Sequence, residues 1–118
     1  MMDYKVNYDN WLSSPYLNAE GLNELRSIEN DDKAIEYAFG AELEFGTAGM
    51  RGIIGYGTNK MNVYTVRRAT QGLAELIKSK GYSAMKKGVA ISYDTRNKSE
   101  LFARTAAGVL LYNDIKVY

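Results

Sequence analysis

The order of hydrophobic patterns along the 118 residues predicts an α/β fold: a layered α/β domain over residues 41–118, preceded by an N-terminal helical arm over residues 1–40. Three observations predict it. Residues 3–40 carry apolar side chains at helical spacing. From Leu43 onward, short apolar runs alternate with amphipathic stretches, the order of a layered unit with right-handed crossovers. Between the two lies Glu42–Thr58, where five of the 11 glycines (Gly46, Gly49, Gly52, Gly55 and Gly57) fall close together around strand-suited apolar residues and Arg51. Glycine permits positive φ and close approach of a backbone to another chain or a ligand.

In the arm, Tyr8, Trp11 and Leu12 mark a short helix that Pro15 ends at Ser14, because proline disfavours helix in the residue before it. Leu17, Leu22, Leu25 and Ile28 mark a second helix beginning near Asn18, with Gly21 weakening its start. Ile35, Ala38 and Phe39 form the apolar face of a third, from about Asp32 to Phe39, capped by Asp31 or Asn30 and followed by Gly40. The arm is expected to pack on a core or to brace a neighbour.

Leu43, Phe45 and the β-branched pair Ile53–Ile54 read as short extended runs broken by glycine, and Gly57–Lys60 as a turn. Asn62 is the expected N-cap of a long helix with the apolar stripe Val63, Val66, Thr70, Leu73 and Ile77, ended by Gly81. Lys86–Gly88 reads as a basic, exposed turn, and Val89–Tyr93 as a strand covered on both faces. The polar loop Asp94–Ser99 ends in a serine suited to cap a helix through Leu101, Phe102, Thr105, Ala106, Val109 and Leu110. Ile115–Tyr118 begins a further strand, and a chain stopping inside it is expected to be the front of a longer protein.

Composition narrows the chemistry. One small domain fits 118 residues, with 46% hydrophobic and 25% charged. A formal net charge of +1 gives no electrostatic case for nucleic acid or an anionic membrane. With no cysteine and no histidine, disulfides, zinc–thiolate sites, cysteine nucleophiles and histidine-based mechanisms are excluded within this chain. The N-terminus has no apolar core of signal-peptide length and nothing approaches a membrane span, so a cytoplasmic protein is expected.

Glu44–Gly52 resembles the start of the first domain in the α-D-phosphohexomutase superfamily, the phosphoglucomutases and phosphomannomutases. Gly55–Arg67 resembles the bacterial branch that includes phosphopentomutases, and Ile91–Glu100 resembles that branch's second strand and following loop. The Trp11 arm is also similar to it. The resemblance implies a three-layer α/β/α domain with a small mixed sheet, here an incomplete first domain. It implies an enzyme phosphoserine that donates its phosphoryl group to a sugar phosphate, a bisphosphate intermediate, and a glucose 1,6-bisphosphate-type activator. It also implies Mg²⁺ held by aspartates of a second domain, so that no metal ligand is expected in this chain. The family's serine sits in a Thr-Ala-Ser-His-Asn-Pro motif, which a histidine-free chain lacks. The isolated chain is therefore expected to be inactive, and its partners to be a phosphosugar and the remaining domains.

Phosphoryl transfer needs positive charge and oriented donors around the moving group. Arg51 supplies planar, permanently charged, bidentate donors, and the resemblance assigns it the catalytic role of facing the phosphoserine loop. A carboxylate pair near the sheet edge is its structural alternative. Gly49, beside Arg51, would let backbone N–H groups approach the same phosphate. The Thr47 hydroxyl either donates to that phosphate or stabilises a turn. Asp94 and Arg96 either reach the cleft at a strand's C-terminal end or pair with each other to order their loop. From a different class, the chain reads as a non-catalytic phosphate-binding or assembly module, self-associating through an exposed sheet edge.

Overall fold

The computed structural model describes residues 3–43, 45–46, 49–50, 53–91 and 98–118. The element order is α1 (Tyr4–Leu12), α2 (Ala19–Ser27), α3 (Asp32–Phe39), β1 (Phe45–Gly46), β2 (Gly49–Met50), α4 (Val63–Ser79), α5 (Tyr82–Lys87) and α6 (Ser99–Tyr112). The chain divides into two compact units, Met1–Thr65 and Val66–Tyr118.

In the first unit, each arm helix starts on a side-chain acceptor. Asp3 Oδ1 accepts from the backbone N–H of Lys5 and Val6, Asn18 Oδ1 from Gly21, and Asp31 Oδ1 from Ala34. These satisfy N–H groups that no carbonyl within the helix can reach. The three helices bury Tyr8, Leu25, Ile35, Ala38 and Phe39 together with Tyr56 from the glycine-rich stretch, and Trp11 and Tyr64 pack against this core. Tyr8 and Trp11 meet the Phe39 ring edge to face at 5.7 and 5.5 Å, and Trp11 meets Tyr64 in the same way at 5.6 Å. Such pairs add about 0.5–1.5 kcal/mol each beyond their burial. The Tyr8 hydroxyl donates to the Leu25 carbonyl at 2.6 Å, and burial raises its pKa above the ordinary tyrosine value.

In the second unit, Ala74 of α4, Leu110 of α6 and Ile115 form a core, against which Ile77, Met85, Val89, Ile91 and Val117 pack. Asn113 closes α6. Its Nδ2 donates to the Val109 carbonyl at 2.8 Å and to Gln71 Oε1 at 2.9 Å, and its Oδ1 accepts from Lys78 Nζ at 3.3 Å. One side chain thus ends α6 and ties it to α4. Residues 82–87, read from sequence partly as an exposed turn, form α5, whose Met85 faces this core. The N-cap position of α6 falls on Lys98 in the left-handed region rather than on Ser99, which is the first helical residue.

The expected three-layer α/β/α domain with a small mixed sheet is corrected by the structure. The described residues are mostly helical, and their only ladder is the two-residue antiparallel pair of β1 and β2. Its register places Gly46 opposite Gly49, so half of its paired positions carry no side chain to pack. Ile53 and Ile54 are exposed by 57% and 40%, so no second layer covers them. Among the described residues, the apolar runs at 89–91 and 115–118 pair through one parallel bridge, Val89 to Val117, in which Val89 N–H donates to the Lys116 carbonyl at 2.7 Å, Tyr118 N–H to the Val89 carbonyl at 2.9 Å and Ile91 N–H to the Tyr118 carbonyl at 3.3 Å. Parallel pairing is stable in sheets buried on both faces, and a bridge of this length does not make one.

Two substitutions probe these units. Gly57 adopts φ +130°, and a Cβ placed there would lie 2.8 Å from the Ala38 Cβ. Gly57→Ala is expected to lower the unfolding free energy by about 2–4 kcal/mol through backbone strain and overpacking, measured by chemical denaturation. In the second unit, the Thr70 hydroxyl is buried with no hydrogen-bond partner among the described residues. Thr70→Val is expected to raise the unfolding free energy by about 1 kcal/mol, because it removes a desolvated, unpaired group at constant shape. A loss of stability in Thr70→Val would show that the hydroxyl is partnered.

Candidate functional site

The described part of the glycine-rich stretch is held from two sides. On one side stands Asn62, only 4% exposed, at the start of α4. Its Oδ1 accepts from the N–H groups of Tyr64 and Thr65 at 3.0 and 2.9 Å, which is the capping role its position predicts. Its Nδ2 donates to the carbonyls of Gly55 at 2.9 Å, Gly57 at 3.1 Å and Lys60 at 3.3 Å. Thr65 Oγ1 adds a second tie, donating to the Lys60 carbonyl at 2.8 Å and accepting from Asn62 N–H at 3.0 Å. One carboxamide therefore caps the helix and folds the preceding loop back onto its N-terminus.

On the other side stands the arm. Glu24 of α2 accepts the Tyr56 backbone N–H at 2.6 Å through Oε2. Asn59 closes α3 from outside, its N–H donating to the Ala38 carbonyl at 2.9 Å and its Nδ2 to the Tyr37 carbonyl at 3.1 Å. Leu43 N–H donates to the Thr58 carbonyl at 2.8 Å, and the Thr58 hydroxyl to the Ala41 carbonyl at 2.7 Å. The strand-like run at 53–55 is fixed by Met61 N–H donating to the Ile53 carbonyl at 2.8 Å and Gly55 N–H to the Met61 carbonyl at 3.1 Å. Residues 53–62 are thus a braced loop.

Of the residues singled out from sequence, Gly49 lies in β2 opposite Gly46. Thr47, Arg51, Asp94 and Arg96 lie outside the described residues. Sequence reasoning missed Glu24, because a glutamate on the polar face of an amphipathic helix carries no signal of a distant amide. Asn62 was legible as a cap but not as the tether of Gly55 and Gly57, which depends on how the loop turns back. Among the described residues, no group of three or more His, Cys, Asp or Glu side chains gathers to hold a metal ion. No helix among them is long and apolar enough to cross a membrane.

Residues 42–118 match the family model for the phosphoglucomutase/phosphomannomutase alpha/beta/alpha domain I. The chain belongs to this family, within the α-D-phosphohexomutase superfamily, and the match is to its first domain. A phosphopentomutase of Pongo abelii is 35% identical over 96 residues, covering 76% of this chain and 16% of that protein. A probable phosphoribomutase of Schizosaccharomyces pombe is 47% identical over 76 residues, 64% of this chain and 13% of that protein. A phosphoglucomutase of Staphylococcus haemolyticus is 40% identical over 83 residues, 70% of this chain and 15% of that protein. The chain therefore spans about a sixth or less of these relatives. No solved structure matches it at comparable significance.

Removing the tether should be costly. Asn62→Ala is expected to lower the unfolding free energy by about 2–4 kcal/mol, combining a lost cap with buried carbonyls left without donors. Asn62→Ser, which keeps a capping oxygen, should recover only about 1 kcal/mol of this in the same denaturation experiment. Full recovery by serine would assign the whole effect to capping and none to the loop.

Proposed function

We propose that this chain supplies part of the first domain of a sugar-phosphate mutase, an intramolecular phosphotransferase of carbohydrate metabolism that acts in the cytoplasm. The observation that carries this reading is the match of residues 42–118 to the mutase first domain, with the motif Glu44–Gly52 at its start. The relatives carry the names phosphopentomutase, phosphoribomutase and phosphoglucomutase, which supports interconversion of a sugar 1-phosphate with a hexose 6-phosphate or a pentose 5-phosphate.

In this reading a phosphoserine elsewhere in the enzyme gives its phosphoryl group to a free sugar hydroxyl. The serine oxygen–phosphorus bond breaks, a bond from phosphorus to the sugar oxygen forms, and the hydroxyl proton passes to a base outside this chain. The resulting bisphosphate, also the activator, turns over and returns its other phosphate to the serine. Arg51 holds the equatorial oxygens of the moving group, where negative charge builds, with bidentate guanidinium donors. The N–H of Gly49 and the hydroxyl of Thr47 add neutral donors, and Asp94 and Arg96 order the neighbouring loop. The described residues do not suit Mg²⁺, since they gather no cluster of acidic ligands, and no step here passes through the metal.

In the complete enzyme, Arg51→Ala is expected to lower kcat/KM by about 3 kcal/mol in transition-state terms, on the order of a hundredfold. Assays with glucose 1-phosphate and with ribose 1-phosphate read this and identify the sugar. Near-normal activity of Arg51→Ala on both would remove the arginine from the phosphate site.

A further inference from the structure

We infer that Glu24, on the second helix of the N-terminal arm, is a positioning residue for the glycine-rich phosphate segment. The inference rests on the functional reading just given. It starts from three observations on described residues. The Glu24 carboxylate accepts the Tyr56 N–H at 2.6 Å, a short charge-assisted bond that crosses from the arm to the loop. The loop is shaped to receive it: a Cβ on Gly55 would lie 3.1 Å from Glu24 Oε2 and 2.8 Å from Lys60 Cδ, so the absent side chain makes room for the carboxylate. The Tyr56 ring is 7% exposed and seats in the arm core, where a Cβ on Gly21 would lie 2.9 Å from it.

The bond has a counterpart on the opposite side of the same peptide units. Glu24 takes the Tyr56 N–H, while Asn62 Nδ2 takes the carbonyl of Gly55 next to it and that of Gly57 beyond. Both polar directions of the backbone at 55–57 are therefore fixed by side chains, one from α2 and one from the start of α4. The Ile53 carbonyl is fixed in turn by Met61 N–H. Ile53 lies two positions after Arg51 in the chain, so the arm and the start of α4 fix the backbone that directly follows the arginine's segment. A displacement of about 1 Å at a reacting group costs on the order of a hundredfold in rate, so a second-tier anchor of this kind acts on kcat. The arm is then part of the catalytic apparatus, and not a brace alone.

The test uses the complete enzyme and four variants, each checked for folding by circular dichroism and thermal unfolding. Glu24→Ala is expected to lower kcat about tenfold with KM for the sugar phosphate within about twofold, whereas Glu24→Gln, which retains an acceptor oxygen, stays near wild type. Asn62→Ser keeps the helix cap, releases the loop from the other side and should lower kcat likewise. Arg51→Ala tests the underlying reading by itself: normal activity there is a failure of the phosphate-site role and takes the inference with it. If Arg51→Ala is impaired, the inference alone is overturned by a folded Glu24→Ala with unchanged kcat, or by a Glu24→Gln as slow as Glu24→Ala. Should Glu24→Ala not fold, an unchanged kcat in folded Asn62→Ser overturns it.

Discussion

The first unit depends on one buried carboxamide. Asn62 joins the glycine-rich loop to the helix that follows it through one side chain, with Thr65 adding a second tie at Lys60, and all of the Asn62 amide's polar capacity is used. The two functions need opposite ends of the amide, the oxygen for helix N–H groups and the nitrogen for loop carbonyls. Aspartate and serine can cap a helix, but neither offers an acceptor and two N–H donors in one plane. Burial makes the arrangement strict, because each loop carbonyl left without a donor away from water costs about 1–3 kcal/mol. The turn at 57–60 is therefore determined from the helix outward.

The same loop gives the arm its structure. α3 ends where Asn59 supplies donors to its last carbonyls, and the arm core closes only when Tyr56 and Tyr64 contribute their rings. Three helices of nine, nine and eight residues are each too short to be stable alone in water. Their caps fix where they start, the aromatic cluster of Tyr8, Trp11, Phe39 and Tyr64 joins α1 to α3, and Leu25 brings α2 into the same core. An arm built in this way does not exist independently of residues 53–65, which explains why α2 can offer a carboxylate to the loop at fixed distance.

The helices were legible because their signals are local. Asn18, Asp31 and Asn62 announce their caps, Pro15 announces a stop, and of the predicted stripe Val66 and Thr70 are buried while Val63, Leu73 and Ile77 are half-buried. Phe45 lies in β1 as its strand-like composition predicts, but the mixed sheet does not follow, for a reason equally physical. Ile53–Ile54 and Val89–Ile91 also have strand-like composition, yet a sheet is a non-local object whose stability lies in neighbouring strands and covering layers. Composition cannot report those partners. α5 was missed because six residues between two glycines carry too little periodicity, and only Met85 in the second core reveals its buried side. The family description names an α/β/α domain, and the described residues are mostly helical with a two-stranded ladder. The choice of Gly49, Arg51 and Thr47 as candidates rests on the resemblance and on the chemistry of those residue types, because nothing in the spacing of glycines specifies a ligand.

The described glycines of the stretch Glu42–Thr58 are of two kinds. Gly55 and Gly57 face the arm: one leaves space for Glu24, and the other lies too close to Ala38 for any side chain. Their lack of side chains is fully accounted for by packing within the protein. Gly46 and Gly49 face each other across a two-residue ladder, where two opposed glycines are the least stabilising choice a strand pair can make. A position that weakens its own secondary structure calls for a gain elsewhere, and close approach of backbone N–H groups to an anion is one that glycine uniquely permits. The proposed phosphate role therefore draws its support from Gly46 and Gly49, while residues 55–57 are held by the arm and by the start of α4. Side chains added at Gly55 or Gly57 should then act on stability directly, because neighbouring atoms already occupy the space each would need.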